Sequence, residues 1–178
     1  MPNVIFYSEM LIQEKIGNIA ALAVNGRAID YLQVEWYETG KRIMRKHTRD
    51  GRDVTLRFLK ESPSLTEGDV LYADERLIIV VGILACAVMV IRMDSLEAVA
   101  SACYEIGNRH LPLYIDDGIL LAPFEEPLYR WLTASGYAVT REERKLLYPL
   151  QSTVAGHAHT GSGDSLFSKI LQLTNPRT

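Results

Sequence analysis

Three of the four histidines in this chain stand where an imidazole could take a metal ion. His157 and His159 form an H-x-H pair, and side chains two apart lie on the same side of an extended chain, so both rings can converge on one ion. His110 follows Gly107-Asn108-Arg109 at the junction of a predicted helix and a predicted strand. Taken alone, a histidine there is more often a cation at the negative end of the helix dipole. Imidazole nitrogen suits Ni²⁺, Cu²⁺ and Zn²⁺ alike, so residue type leaves the metal open. His47 lies in a charged hairpin and reads as a surface residue.

Other chemistries lack their residues. There is no G-x-x-x-x-G-K-[ST], G-x-G-x-x-G, H-E-x-x-H or G-x-S-x-G. The carboxylate neighbours Glu125-Glu126 and Glu142-Glu143 read as solvated charges at helix ends, pointing in different directions, not as a general acid and base. Cys86 and Cys103 have no C-x-x-C spacing and read as small buried apolar residues. Residues 41–60 hold eight Lys or Arg against two Asp, but Phe58 is the only aromatic among them. A nucleic-acid surface would interleave aromatics for stacking, so this is the wet face of a hairpin whose charges discourage edge pairing.

The bulk properties agree. A 178-residue chain with 48% hydrophobic and 23% charged residues holds one larger or two small domains. A formal charge of −3 gives no reason to expect nucleic acid or an anionic membrane as partner. The longest apolar run, Leu77 to Ile91, is 15 residues and contains Gly82, short of the ~20 needed to span a bilayer. The start lacks a basic, apolar signal segment and no N-x-S/T sequon occurs, so a cytoplasmic protein is expected.

The elements that must position these residues fall into an α+β chain. Residues 1–82 read as a β-rich domain. Leu32, Val34 and Trp36 alternate with polar residues, as do Val54, Leu56 and Phe58. Asp50-Gly51 between two such runs predicts a type I′ hairpin turn, and Gly68-Asp69 a turn before the next strand. Residues 83–150 change character. Ala85 to Met93 is a strand, and Asp94 or Ser95 caps a helix with Glu97 reaching back. That helix buries Leu96, Val99, Ala100, Cys103 and Ile106 and stops at Gly107. Leu111 to Ile115, an Asp117-Gly118 turn and Ile119 to Leu121 follow. Pro123 or Pro127 opens a second helix ending at Gly136. A last strand starts at Tyr137, with Leu146 to Tyr148 continuing its edge. The order strand, helix, strand, strand, helix, strand is ferredoxin-like, βαββαβ. Residues 151–178 form a small, polar tail that reads as flexible.

The segment Tyr104-Glu105-Ile106-Gly107-Asn108-Arg109-His110 resembles the UreE family, the urease accessory nickel metallochaperones. So do Val34-Glu35-Trp36-Tyr37-Glu38 with Lys41-Arg42-Ile43, Gly68-Asp69-Val70-Leu71-Tyr72, and Pro123-Phe124-Glu125-Glu126-Pro127. The likeness covers residues 10 to 150. It implies a β-rich N-terminal domain similar to a heat-shock cochaperone peptide-binding domain, then a ferredoxin-like metal-binding domain. It also implies a homodimer in which His110 of each chain binds Ni²⁺ at the two-fold interface, with the tail histidines, here His157 and His159, adding ligands. Nickel is then carried cargo, Zn²⁺ and Cu²⁺ compete for the same donors, and the chain catalyses no reaction. The implied partners are the urease accessory GTPase and the apo-urease assembly complex. The chain departs from members with a long histidine-rich tail, and from those with a histidine where it has Glu105. Two other readings use the same histidines. A metal-responsive regulator or store would hold nickel without delivering it, but a DNA-binding form would need a basic footprint. A small hydrolase would need a general base near the ion, and nothing marks one.

Overall fold

The computed structural model of the chain describes residues 10–59 and 63–150. Seven strands come first: β1 (Met10–Ile12), β2 (Gly17–Asn18), β3 (Ala28–Val34), β4 (Ile43–His47), β5 (Asp53–Arg57), β6 (Asp69–Ala73) and β7 (Leu77–Ile83). They form two sheets, ordered β1-β5-β4 and β2-β6-β7-β3. β3 runs parallel to β7, with Leu32 opposite Val81 and Val34 opposite Ile83. Period-two alternation turns Leu32, Val34, Val54, Leu56, Val81 and Ile83 into one buried core, as expected from the sequence. Trp36 leaves the alternation, because residues Trp36–Glu38 form a 3₁₀ turn.

The β4–β5 hairpin forms, but its tip is not the two-residue type I′ turn expected at Asp50-Gly51. The loop is wider, with Thr48 N–H on the Arg52 carbonyl and Gly51 N–H on the Thr48 carbonyl, both at 2.9 Å. Only Gly51 has a positive φ there, +89°, whereas type I′ needs two such residues. The cause is Asp30, which is fully buried on the inward face of β3. Its carboxylate accepts the amide hydrogens of Tyr31 at 2.8 Å and Asp50 at 3.1 Å and pairs with Arg52, so the tip is folded onto β3.

The second unit is β8 (Ala85–Arg92), α1 (Leu96–Asn108), β9 (Tyr114–Asp116), β10 (Ile119–Pro123), α2 (Glu126–Ala134) and β11 (Ala138–Lys145). Its sheet has the order β11-β8-β10-β9 with every neighbouring pair antiparallel. Counted along the chain that is strand order 4-1-3-2, the ferredoxin-like arrangement. Both helices cover one face, where Ala102, Ile106, Leu128 and Leu132 meet Met89, Ile91, Leu120 and Ala122. Val88, Val90 and Leu121 point the other way, toward Tyr114, Leu146 and Trp36 of the first unit. Leu84 alone separates β7 from β8. Glu67 ties the junction, accepting from Ile83 N–H at 2.7 Å and from Lys145 Nζ at 2.8 Å.

Several local expectations need correction. Leu96, the first residue of α1, is 85% exposed, and the buried stripe is Ala102 and Ile106 flanked by Val99 and Cys103. Ala100 is exposed because at 100° per residue it lies on the opposite side of the helix from Ala102. Pro123 ends β10, while Pro127 occupies the first turn of α2. β9 begins at Tyr114, not Leu111, since Pro112 has no N–H to give a ladder. Glu142 and Glu143 belong to β11, on opposite faces of a strand, not to a helix end. Leu146 to Tyr148 do not continue that edge. Leu146 is buried on the face away from the helices, Pro149 bridges to Tyr114, and Leu150 N–H reaches the Leu113 carbonyl at 2.7 Å. Among the described residues no helix is long and apolar enough to cross a membrane.

Candidate metal centre

α1 sets the position of His110. Ser95 starts the helix, its hydroxyl accepting the Ala98 N–H at 3.2 Å, with Glu97 favourably placed near the positive end. The helix does not stop at Gly107. It continues to Asn108, and Arg109 is the last half-helical residue, with φ −89° and ψ 2°. His110 then takes the left-handed conformation at φ +56°. Its N–H bonds to the Gly107 carbonyl at 2.9 Å, and the Leu111 N–H reaches back to the Ile106 carbonyl at 3.3 Å. These are the two bonds of a Schellman turn, and Leu111 packs in the same apolar cluster as Ile106, as that turn requires. Glycine is the usual occupant of the left-handed position. A residue with a Cβ there costs roughly 1–2 kcal/mol. Strain of this kind persists where the surroundings hold it, and it clusters at functional positions.

The turn leaves the imidazole exposed beside the carbonyl-rich, negative end of α1. Arg109 pairs across to α2, its Nη1 lying 3.6 Å from Oε2 of Glu125. Glu125 is the N-cap of α2, and the same oxygen accepts the Leu128 N–H at 2.8 Å. Glu126 pairs with Arg130 one turn on, at 2.7 Å. Thus Glu125 and Glu126 are helix-end charges, as their types suggested.

Among the described residues, His110 is the one candidate ligand at this turn. Among the described residues, no three of His, Cys, Asp and Glu gather as a ligand set. His157 and His159 lie outside the described residues. Leu150, the last described residue, nonetheless lies near that turn in space, since its N–H bonds to the carbonyl of Leu113, three residues after His110. His47 is exposed on β4, opposite Asp53, in the other unit. Cys86 and Cys103 are free and half-buried. Burial pushes both thiols up, with Glu35 and Glu143 adding to the effect at Cys86.

Four carboxylates, Asp30, Glu38, Asp50 and Asp53, offset part of the hairpin's positive charge. Arg45 pairs with Asp53 at 2.5 Å, Lys41 with Glu38 at 3.3 Å, Lys46 with Glu38, and Arg52 with Asp30. Asp30 and Glu38 were missed as partners. The available signal was the run Ile29-Asp30-Tyr31-Leu32, where alternation puts an aspartate on the same face as Leu32 and Val34.

Comparison with known proteins adds the following. The family model for the UreE urease accessory protein N-terminal domain matches residues 12–84, and that for the C-terminal domain matches residues 86–165. The chain is 43% identical over 164 residues to the urease accessory protein UreE of Flavobacterium johnsoniae, covering 92% of this chain and 99% of that protein. It is 37% identical over 152 residues to UreE of Actinobacillus pleuropneumoniae, covering 83% of this chain and 81% of the relative. With UreE of Helicobacter pylori it shares 41% over 131 residues, covering 71% and 76%.

Proposed function

The chain belongs to the family of UreE urease accessory proteins, and on that premise we propose that it is the nickel carrier of a urease assembly system. His110 from each of two copies binds Ni²⁺ on a two-fold axis, His157 and His159 complete the shell, and the ion passes to the apo-urease complex with the accessory GTPase. The chain works in the cytoplasm and catalyses no reaction itself. The observation that carries this reading is the exposed imidazole of His110 at a left-handed, strained turn, with no hydrogen-bond or ion-pair partner among the described residues. One imidazole per chain is a poor site, and a two-fold axis doubles it. From Leu150 to His157 is seven residues, a span of at most ~24 Å, while Leu113 to His110 spans at most ~10 Å. The tail histidines are therefore within reach of His110 on the same chain. A shell built from two anchored and several tethered imidazoles can come apart stepwise, which suits delivery better than a closed cage. Zn²⁺ and Cu²⁺ compete for the same donors, so nickel preference rests on geometry and supply.

The test is nickel titration of the purified protein with mass determination, followed by activation of apo-urease in the presence of the accessory GTPase. His110→Ala should lose the tight site and the activation while keeping the wild-type circular dichroism. Unchanged tight binding by that variant would refute the reading.

A further inference from the structure

The two stretches 104–110 and 123–127 stand out separately in the sequence, and in the fold they touch. The contact is Arg109 Nη1 to Glu125 Oε2 at 3.6 Å, and that oxygen also caps α2 through the Leu128 N–H at 2.8 Å. Arg109 is the residue whose backbone hands the chain from α1 into the left-handed turn at His110. A guanidinium one residue from a divalent-cation ligand is unfavourable by itself, because like charges repel. Its placement makes sense if the side chain fixes the turn while Glu125 offsets its charge.

We propose that Glu125 is a positioning residue for the metal site, bracing through Arg109 the turn that presents His110. The proposal rests on the reading of His110 as a nickel ligand. His110 occupies a backbone region that an L-residue leaves readily, so the last turn of α1 tends to relax once its cap residue is released. A freed turn lets the imidazole sample more orientations, and the ordering cost then falls on metal binding. Both partners are about one-third exposed. The brace is therefore of the modest, screened kind, and its loss should weaken nickel binding about two- to fivefold.

The experiment uses full-length protein, nickel as the probe, and isothermal titration at low salt and at about 0.5 M salt. Glu125→Asp separates the two roles of the carboxylate. Aspartate is a good N-cap, so α2 keeps its start and the melting temperature stays at the wild-type value, but the side chain is one methylene shorter and loses Arg109. Arg109→Gln removes the other partner. Expected are a two- to fivefold loss in each, no further loss in the double variant, and convergence on wild type at high salt. The sign for Arg109→Gln decides against the simpler alternative. If Arg109 acted only as a charge near the ion, its removal would tighten nickel binding, and that result overturns the brace. Independent, additive losses overturn it as well. His110→Ala runs alongside. If that variant binds nickel normally, the metal site itself is refuted and the brace falls with it. If it loses the site while Glu125→Asp and Arg109→Gln bind like wild type, only the brace is refuted.

Discussion

Replacing His110 with glycine should abolish the proposed metal ligand and raise the stability of the metal-free protein. His110 sits at φ +56°, where a Cβ costs roughly 1–2 kcal/mol and glycine pays nothing. Glycine also gains freedom in the unfolded chain, which opposes the effect by about 0.4–1 kcal/mol. Among the described residues the exposed imidazole makes no hydrogen bond, ion pair or ring contact that would be lost. The net gain is about 0.5–1 kcal/mol, or roughly 1–4 °C in melting temperature for a chain of this size. Alanine removes the same ligand but keeps the strain, so His110→Ala should melt at or below wild type, with His110→Asn between the two because asparagine tolerates this region. The assay is calorimetric or circular-dichroism melting in a chelator, repeated with excess nickel. Nickel should raise the wild-type midpoint by binding the folded state and leave the glycine variant unmoved. A glycine variant that melts no higher than the alanine variant would refute the claim that strain is stored at this turn.

Asp30→Asn should destabilise the fold by about 2 kcal/mol in denaturant titration, since it removes the buried carboxylate that accepts the Tyr31 and Asp50 amides and pairs with Arg52, while Arg52 keeps Asp50 at 3.2 Å. Burial alone would raise the Asp30 carboxyl, but hydrogen bonds from Thr48, Arg52 and the Asp50 amide, with the Arg52 charge, outweigh it and hold it below the usual carboxylate range. Its stabilisation is thus present above the unfolded value near pH ~4 and is lost as pH falls through the lower folded value. Asp30→Asn should flatten that acid limb, and an unchanged acid profile would count against the pairing. Deleting residues 151–178, or combining His157→Ala with His159→Ala, should leave thermal stability nearly unchanged and weaken nickel binding without abolishing it. Wild-type affinity and stoichiometry in both proteins would make the H-x-H pair a mere tail feature. Nickel and protons compete for imidazole nitrogen, so affinity should fall from about pH 7 to about pH 5, and a flat profile would point to carboxylate ligands.

The ferredoxin-like order was legible because each strand and helix of residues 85–145 carries its own period and its own punctuation. Asp117-Gly118 shows how far that goes. Both residues have positive φ, +46° and +75°, and Asp116 pairs with Ile119 across them, the two-residue turn that an Asp-Gly pair predicts. The same dipeptide at 50–51 misled, because a buried aspartate twenty residues away dictates that loop, and long-range partners leave no local signature. Gly107 misled for a related reason. Glycine permits a left-handed turn without requiring one, and the turn forms where Leu111 can dock on Ile106. The motif singles out His110 as a candidate, but the left-handed conformation it adopts was not legible there, since conformation at one residue depends on where its neighbours are anchored. The path of residues 146–150 was hidden too. An apolar run after a charged strand looks like more strand until the uncovered back of the sheet is in view.

The sheet that carries the candidate site is closed to growth at both margins. β11 presents Arg141, Glu142, Glu143, Arg144 and Lys145 in succession, and β9 is met by Pro149, which has no amide hydrogen to offer a newcomer. A margin able to pair with any passing strand lets copies add head to tail, and such contacts propagate into filaments because nothing in their symmetry ends them. A carrier that, on the proposed reading, must meet its own kind to hold an ion lives near that hazard. Charging one margin and capping the other with proline leaves self-association to surfaces that a two-fold axis completes at two copies, so the same chain can be sociable enough to pair and still stay in solution.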